Sequence, residues 1–254
     1  MLSSVSVPQA VLPATILLSI IGTYAALSPP NPNPESASPA GDSMSRLKIT
    51  NKHVPKVVMA PIGLFALHTS ALAYHYPYIP LSILRHGAEN GLNASLITWS
   101  PASAVPLALI LCVGVPLRLG SYATLGKNFT FALAEPDRLT TTGIYRYVQH
   151  PSYTGLVALV LCNASLLGRI DGVLSCWIPP RLFPLFRTME WVLVPVGVVA
   201  LMFAVWTRVR EEERMLRAKF GIEWEKWHAR TPRFIPWFHR RRASTQAHDA
   251  STTD

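Results

Sequence analysis

Two polar stretches hold the side chains of this 254-residue chain best suited to chemistry. The first, Thr140 to Gly155 (TTTGIYRYVQHPSYTG), crowds Tyr145, Arg146, Tyr147, His150 and Tyr153 together. Gly143 can adopt the positive φ of a turn, and Pro151 suits the first turn of a helix, where its missing N–H costs no bond. His150 then stands immediately before a helix start. The stretch reads in two ways: an aromatic and basic belt anchoring a helix at a membrane interface, or a polar cavity at a broken helix start that holds a charged small molecule. The second stretch, Arg208 to Phe220 (RVREEERMLRAKF), places Arg208, Glu212 and Leu216 four residues apart on one helix face. Arg210, Arg214 and Arg217 lie over other faces. A solvated, ion-paired helix accounts for most of this pattern. It accounts less well for the unbroken Glu211, Glu212 and Glu213, because acidic groups beside an anionic membrane surface are repelled unless something positive meets them. A bound cation, a cationic cofactor or the surrounding arginines would serve.

Other chemistries lack their residues. There is no Ser-His-Asp arrangement, the separated histidines lack zinc spacing, and no carboxylate pair has glycosidase character, so no metal site is expected. Three cysteines, Cys112, Cys162 and Cys176, are too few and odd in number for a disulfide scaffold. The first two lie in apolar runs and read as packing residues.

The elements that must position these stretches are membrane helices. Half the residues are hydrophobic and only 15% are charged, against about a quarter in an ordinary soluble domain. Apolar runs recur at about Val7 to Leu27, Pro55 to Pro77, Ala102 to Leu119, Pro151 to Gly168 and Glu190 to Thr207. The 22 prolines predict kinked or broken spans. The expected fold is all-α, an integral membrane protein with about five transmembrane helices and a cytosolic C-terminal helical segment. The first run could instead be a targeting segment ending near Tyr24, Ala25 and Ala26, but it has no basic n-region and is long for one. With five spans and a cytosolic C-terminus, 19 Lys and Arg fall on the cytosolic side and only Arg85, Arg169, Arg181 and Arg187 on the other, a positive-inside asymmetry.

The net charge of +9 comes largely from the eleven Lys and Arg between Arg208 and Arg242. Their place beside the last span fits anionic lipid, and no zinc finger, RNP pattern or GxxG clamp points to nucleic acid. Ser28 to Ser45 is a Pro/Ser/Asn-rich flexible linker, Arg169 to Thr188 an interfacial or re-entrant piece, and Arg240 to Asp254 a disordered tail. Asn93-Ala-Ser95 is an N-glycosylation acceptor pattern facing the lumen in this topology. The chain therefore divides into an N-terminal span and linker (1–54), a membrane-embedded domain (55–242) and the tail (243–254).

Taken together, GIYRYVQHPSYTG and, about fifty residues later, RVREEERMLRAKFGIEWEKW resemble the isoprenylcysteine carboxyl methyltransferase family and the related membrane phospholipid methyltransferases. The resemblance covers Gly143, Tyr145, Arg146, Tyr147, His150, Pro151, Tyr153 and Gly155. It resumes at Arg208, Glu212, Glu213, Leu216, Phe220, Gly221 and Glu223, and the upstream Leu125 to Phe129 (LGKNF) matches a short segment that often precedes the first motif. It departs at Gln149, where many members have Arg, and at Trp224 and Trp227, which replace two tyrosines.

What the resemblance implies is an enzyme of the endoplasmic reticulum membrane, using S-adenosylmethionine to methylate the C-terminal carboxylate of a prenylated cysteine. It implies cofactor binding by Tyr145, Gln149, His150, Pro151, Tyr153 and Glu212. Arg208 and Arg146 would act at the reacting groups, with Trp224 and Trp227 against the substrate. Its partners would be the lipid bilayer and a prenylated protein or other amphipathic substrate. A phospholipid amine, a terpenoid carboxylate and a non-enzymatic lipid-binding role are the alternatives.

Overall fold

The structure, a computed structural model, describes residues 7–32 and 53–235. The linker from residue 33, the basic residues Arg46, Lys48 and Lys52, and the tail at 243–254 lie outside the described residues. The described residues form helices and loops: α1 (Val7–Leu27), α2 (Val54–His75), the single turn α3 (Leu81–Leu84), α4 (Pro101–Leu109), α5 (Val115–Leu125), α6 (Pro151–Leu167), α7 (Phe183–Phe220) and α8 (Ile222–Arg230).

Local sequence explains the helix starts. Proline stands in the first turn of α2, α4, α6 and α7, where no N–H is needed. Ser100 caps α4, its Oγ accepting from the Ala102 N–H at 3.1 Å while Ser103 Oγ accepts from the Ser100 N–H at 3.2 Å. α4 runs into α5 through a π-helical turn at Ile110–Gly114, making one long rod.

Among the described residues, four helical stretches are long and apolar enough to cross a membrane: Ala10–Leu27, Val54–His75, Ala94–Asn128 and Phe183–Phe220. The fourth expected span, α6, has only 17 residues, about 25 Å at 1.5 Å per residue against about 30 Å of hydrocarbon. It is the helix most enclosed by others, with Leu159, Cys162, Leu166 and Leu167 buried, so its neighbours supply the apolar surroundings. The last span corrects the expected boundaries. It begins at Phe183, so residues 183–188 belong to the helix rather than to a re-entrant loop, and it continues without a break to Phe220. Trp191, Val199 and Phe203 on α7 remain 68–79% exposed, as a lipid-facing helix requires. The cysteines are free; Cys162 and Cys176 are buried, whereas Cys112 is exposed rather than packed.

Polar knots close one end of the bundle. Asn90 Nδ2 donates to the carbonyls of Ser175 and Ile178, and Asp171 pairs with Arg169 at 2.8 Å while accepting from Asn93 Nδ2 at 3.2 Å. At the other end α1 stops, α2 starts, α5 stops, α6 starts and α7 passes through. That end holds the two chemical stretches.

Candidate active site

Gly143, at φ +59°, makes the turn that its type predicts. The following 3-10 turn, Gly143–Arg146, delivers Tyr145 inward with 7% exposure and leaves Arg146 exposed. Pro151 starts α6 and is fully buried, with His150 at the preceding position. On α7 the four-residue spacing acts as expected: Arg208, Glu212 and Leu216 face one cavity, extended upward by Leu201 and Val205.

This cavity has a volume of about 450 Å³. Its polar wall contains His150, Tyr153, Arg208 and Glu212. Tyr153 Oη donates to Glu212 Oε2 at 2.8 Å, and His150 Nδ1 lies 4.0 Å from the same carboxylate oxygen. Arg208 Nη2 donates to the Phe131 carbonyl at 2.6 Å, so the connection between α5 and α6 is tied over the cavity as a roof. Phe129, Phe131 and Leu133 of that connection line it, and Lys219 pairs with Glu135 at 3.3 Å on the outside. Burial, and the Glu212 carboxylate second, push the Tyr145 phenol above its ordinary range, so it stays neutral. The opposite wall is apolar, built from Leu27, Val58, Met59, Leu156 and Leu201.

Seven of the ten residues expected at the site line this cavity: Tyr145, Gln149, His150, Tyr153, Arg208, Glu212 and Trp227. Arg146, Pro151 and Trp224 do not. Trp224 is buried but stacks on His228, with ring centroids 4.3 Å apart. Trp227 reaches the cavity, its Nε1 donating to the Tyr145 carbonyl at 3.2 Å.

Gln149 has an additional task that its type did not suggest. Its Nε2 donates to the Thr231 carbonyl and, at 3.2 Å, to that of His228, while its Oε1 is 2.7 Å from His228 Nδ1. The Gln149 and His150 N–H groups donate to the carbonyls of Pro232 and Arg233 at 2.9 and 2.8 Å. Residues 231–234 thus form a strap beside the start of α6. Gln149→Ala would leave buried carbonyls unpaired, at a cost of about 1–3 kcal/mol. The melting temperature in detergent should fall by a few degrees, with faster amide exchange at 149–150; unchanged values would remove the strap role.

Three residues at or behind the site were not anticipated in these roles. Glu213 accepts from Arg233 Nε at 2.6 Å and Nη2 at 3.0 Å, and lies 3.3 Å from His150 Nε2. The Glu213 hydrogen bond pushes the Arg233 guanidinium above its ordinary range. Arg118 is 5% exposed on α5 and lines the cavity. A signal for it was available, since a charge within the apolar run VPLRLG is costly unless used. No comparable signal marked Arg233. α1, placed by sequence in a separate N-terminal unit, contributes Leu27 to the cavity and its Ala26 carbonyl to Arg118.

Comparison with known proteins adds a chemical context. Residues 107–187 match the isoprenylcysteine carboxyl methyltransferase (ICMT) family. A protein-S-isoprenylcysteine O-methyltransferase of Schizosaccharomyces pombe is 29% identical over 130 residues, covering 50% of this chain and 46% of that protein. The chain thus spans about half the length of that relative. Protein-S-isoprenylcysteine O-methyltransferases B and A of Arabidopsis thaliana are 23% and 25% identical, over 74% and 61% of this chain and 87% and 83% of their own lengths. No solved structure gives a significant match.

Proposed function

We propose, from the match of residues 107–187 to the isoprenylcysteine carboxyl methyltransferase family, that the chain transfers the methyl group of S-adenosylmethionine to the α-carboxylate of a C-terminal prenylated cysteine. The observation that carries this reading is one cavity with a polar wall, Arg208, Glu212, Tyr153 and His150, facing an apolar wall at α1, α2 and α7. Its volume of about 450 Å³ lies within the range of about 300–1,000 Å³ usual for small-ligand pockets. A prenyl tail longer than the cavity extends past Val58 and Leu201 toward lipid.

The donor set fits the cofactor. Glu212, oriented by Tyr153, offers acceptors to an ammonium or to ribose hydroxyls, and the Tyr145, Tyr153 and Phe131 rings offer faces to an adenine or a sulfonium. His150, fixed between Glu212 and Glu213, supports Glu212. The bound cofactor supplies a methyl group already activated by its sulfonium. A carboxylate acceptor is ionised at neutral pH and needs no general base, so the protein's work is alignment and exclusion of water. The roof at 129–133, held by Arg208, excludes water. Arg208 also places positive charge beside the reacting carboxylate. The 19-to-4 distribution of basic residues supports a cytosolic position for this end of the bundle in a multi-pass membrane, and we assign that membrane to the endoplasmic reticulum.

Incubation of membranes containing the protein with labelled S-adenosylmethionine and N-acetyl-farnesylcysteine should yield base-labile methyl ester. The initial rate should stay flat with pH above the carboxylate range, whereas an amine acceptor gives a rate rising toward its pKa. Label recovered only as base-stable N-methyl lipid from phosphatidylethanolamine, with no ester formed, would overturn the reading.

A further inference from the structure

Arg118 is a buried cation whose hydrogen-bond partners are neutral. Its Nε donates to the Ala26 carbonyl at 3.0 Å and its Nη1 to Ser152 Oγ at 2.6 Å. The rings of Tyr122, Phe129 and Phe131 stand 5.1–5.7 Å from its guanidinium carbon. Among the described residues no carboxylate pairs with it. Burying an unpaired charge is expensive, and aromatic faces offset only part of that cost.

The charge inside the cavity is correspondingly unbalanced. Among the described residues lining it, Arg118 and Arg208 are buried cations, and Glu212 is the one acidic side chain. Glu213 faces Arg233 and His150 instead. S-adenosylmethionine brings a further net positive charge, a sulfonium and an ammonium against one carboxylate. A neutral or cationic acceptor would leave that excess in place; an anionic one reduces it. Position points the same way. The Ala26 carbonyl that fixes Arg118 adjoins Leu27 on the apolar wall, and Ser152 adjoins Tyr153 on the polar wall. Arg118 therefore sits at the seam between the polar and the apolar wall.

We propose that Arg118 holds the carboxylate of the acceptor and thereby selects an anionic acceptor over an amine. This rests on the methyl-transfer reading above and adds a residue and a selection rule to it. In the reaction a carboxylate oxygen forms a bond to the methyl carbon as the carbon–sulfur bond breaks, and sulfur keeps the electron pair as a neutral thioether. No proton moves. The ester product is uncharged, so the group that binds the substrate loses its grip on the product.

A carboxylate at Arg118 has two sources, the acceptor and the methionyl end of the cofactor, and binding measurements separate them. Affinities for S-adenosylhomocysteine, N-acetyl-farnesylcysteine and the neutral amide of the latter are measured on the full-length protein in detergent, for wild type, R118Q and R118K. Wild type should prefer the acid to the amide by about tenfold or more, the range for a hydrogen bond to a charged group. R118Q should bring that ratio close to one with S-adenosylhomocysteine affinity retained, and R118K, with one cation but no planar fork, should recover part of it. A ratio unchanged in R118Q overturns the proposal. So does loss of S-adenosylhomocysteine affinity with the ratio intact, which assigns Arg118 to the cofactor. Absence of an acid preference in wild type overturns it even if R118Q does not fold. Failure of the methyl-transfer reading looks different: wild type keeps the acid preference but forms no methyl ester.

Discussion

Replacing Glu213 with alanine should weaken S-adenosylhomocysteine binding at least tenfold while leaving the membrane helices formed. Glu213 is 9% exposed and meets Arg233 through two hydrogen bonds, at 2.6 and 3.0 Å. It also lies 3.3 Å from His150 Nε2, and His150 is only 3% exposed. The carboxylate thus fixes the strap at 231–234 and, through His150, the setting of Glu212. Removing one partner of a fully buried ion pair costs about 3–5 kcal/mol. The Arg233 side chain is 42% exposed, so solvent takes up much of that loss and about 1–3 kcal/mol is the appropriate expectation. A loss of 1.4 kcal/mol transmitted to the ligand is already tenfold. Calorimetry with S-adenosylhomocysteine and amide exchange at 149–150 and 231–235 read the two consequences separately. Arg233→Ala should loosen the strap while leaving the His150 contact, so its affinity loss should be the smaller one. Full affinity in Glu213→Ala, with the strap still protected, would show that Glu213 holds neither.

Gly155→Val should prevent the bundle from assembling, and Gly155→Ala should lower its melting temperature measurably. A Cβ at Gly155 would lie 2.9 Å from the Gly114 carbonyl oxygen, 3.0 Å from Arg118 Cγ and 3.1 Å from Leu117 Cβ. The first of these is backbone and cannot rotate aside. Gly114 faces the same seam, where a Cβ would meet Leu159 Cδ2 at 2.7 Å, and Leu159 is fully buried. Small residues that let helix backbones approach are a general device of membrane packing, where water supplies little drive for association. Each added methyl in such a contact costs about 1–3 kcal/mol, and here it also displaces Arg118. Gly63→Ala is the control: a Cβ there meets nothing within 4 Å, so its melting temperature should hold or rise. Equal behaviour of Gly63→Ala and Gly155→Ala would refute the close-approach argument.

The two chemical stretches illustrate how far residue type carries. Gly143 and Pro151 announced a turn and a helix start, and both are present because their requirements are local: a positive φ and a missing N–H. The i, i+4 spacing of Arg208, Glu212 and Leu216 placed them on one face, and they do share one cavity. Arg146 shows the limit. Its motif neighbours Tyr145 and His150 turn inward, but a single 3-10 turn leaves Arg146 outside. Trp224 and Trp227, three residues apart, likewise part company at the cavity wall, a difference of rotation on α8 that spacing alone does not resolve.

The membrane-helical class, the positions of most spans, the His-Pro helix start and the Arg-Glu helix face were legible in the sequence, because apolar length and helical period are properties of short contiguous runs; the pairing of the last two was implied by the family resemblance. Which groups meet each buried charge depends on tertiary packing. Arg118 and Ser152 are 34 positions apart, Arg118 and Ala26 92, and His150 and Glu213 63. The short α6, the Gly114–Gly155 seam and the strap over Gln149 are likewise contacts between distant segments. A charge in an apolar run announces that a partner must exist; only the packing of helices from far along the chain supplies the partner, since the free energy that selects it lies in desolvation and close contact rather than in local backbone preference.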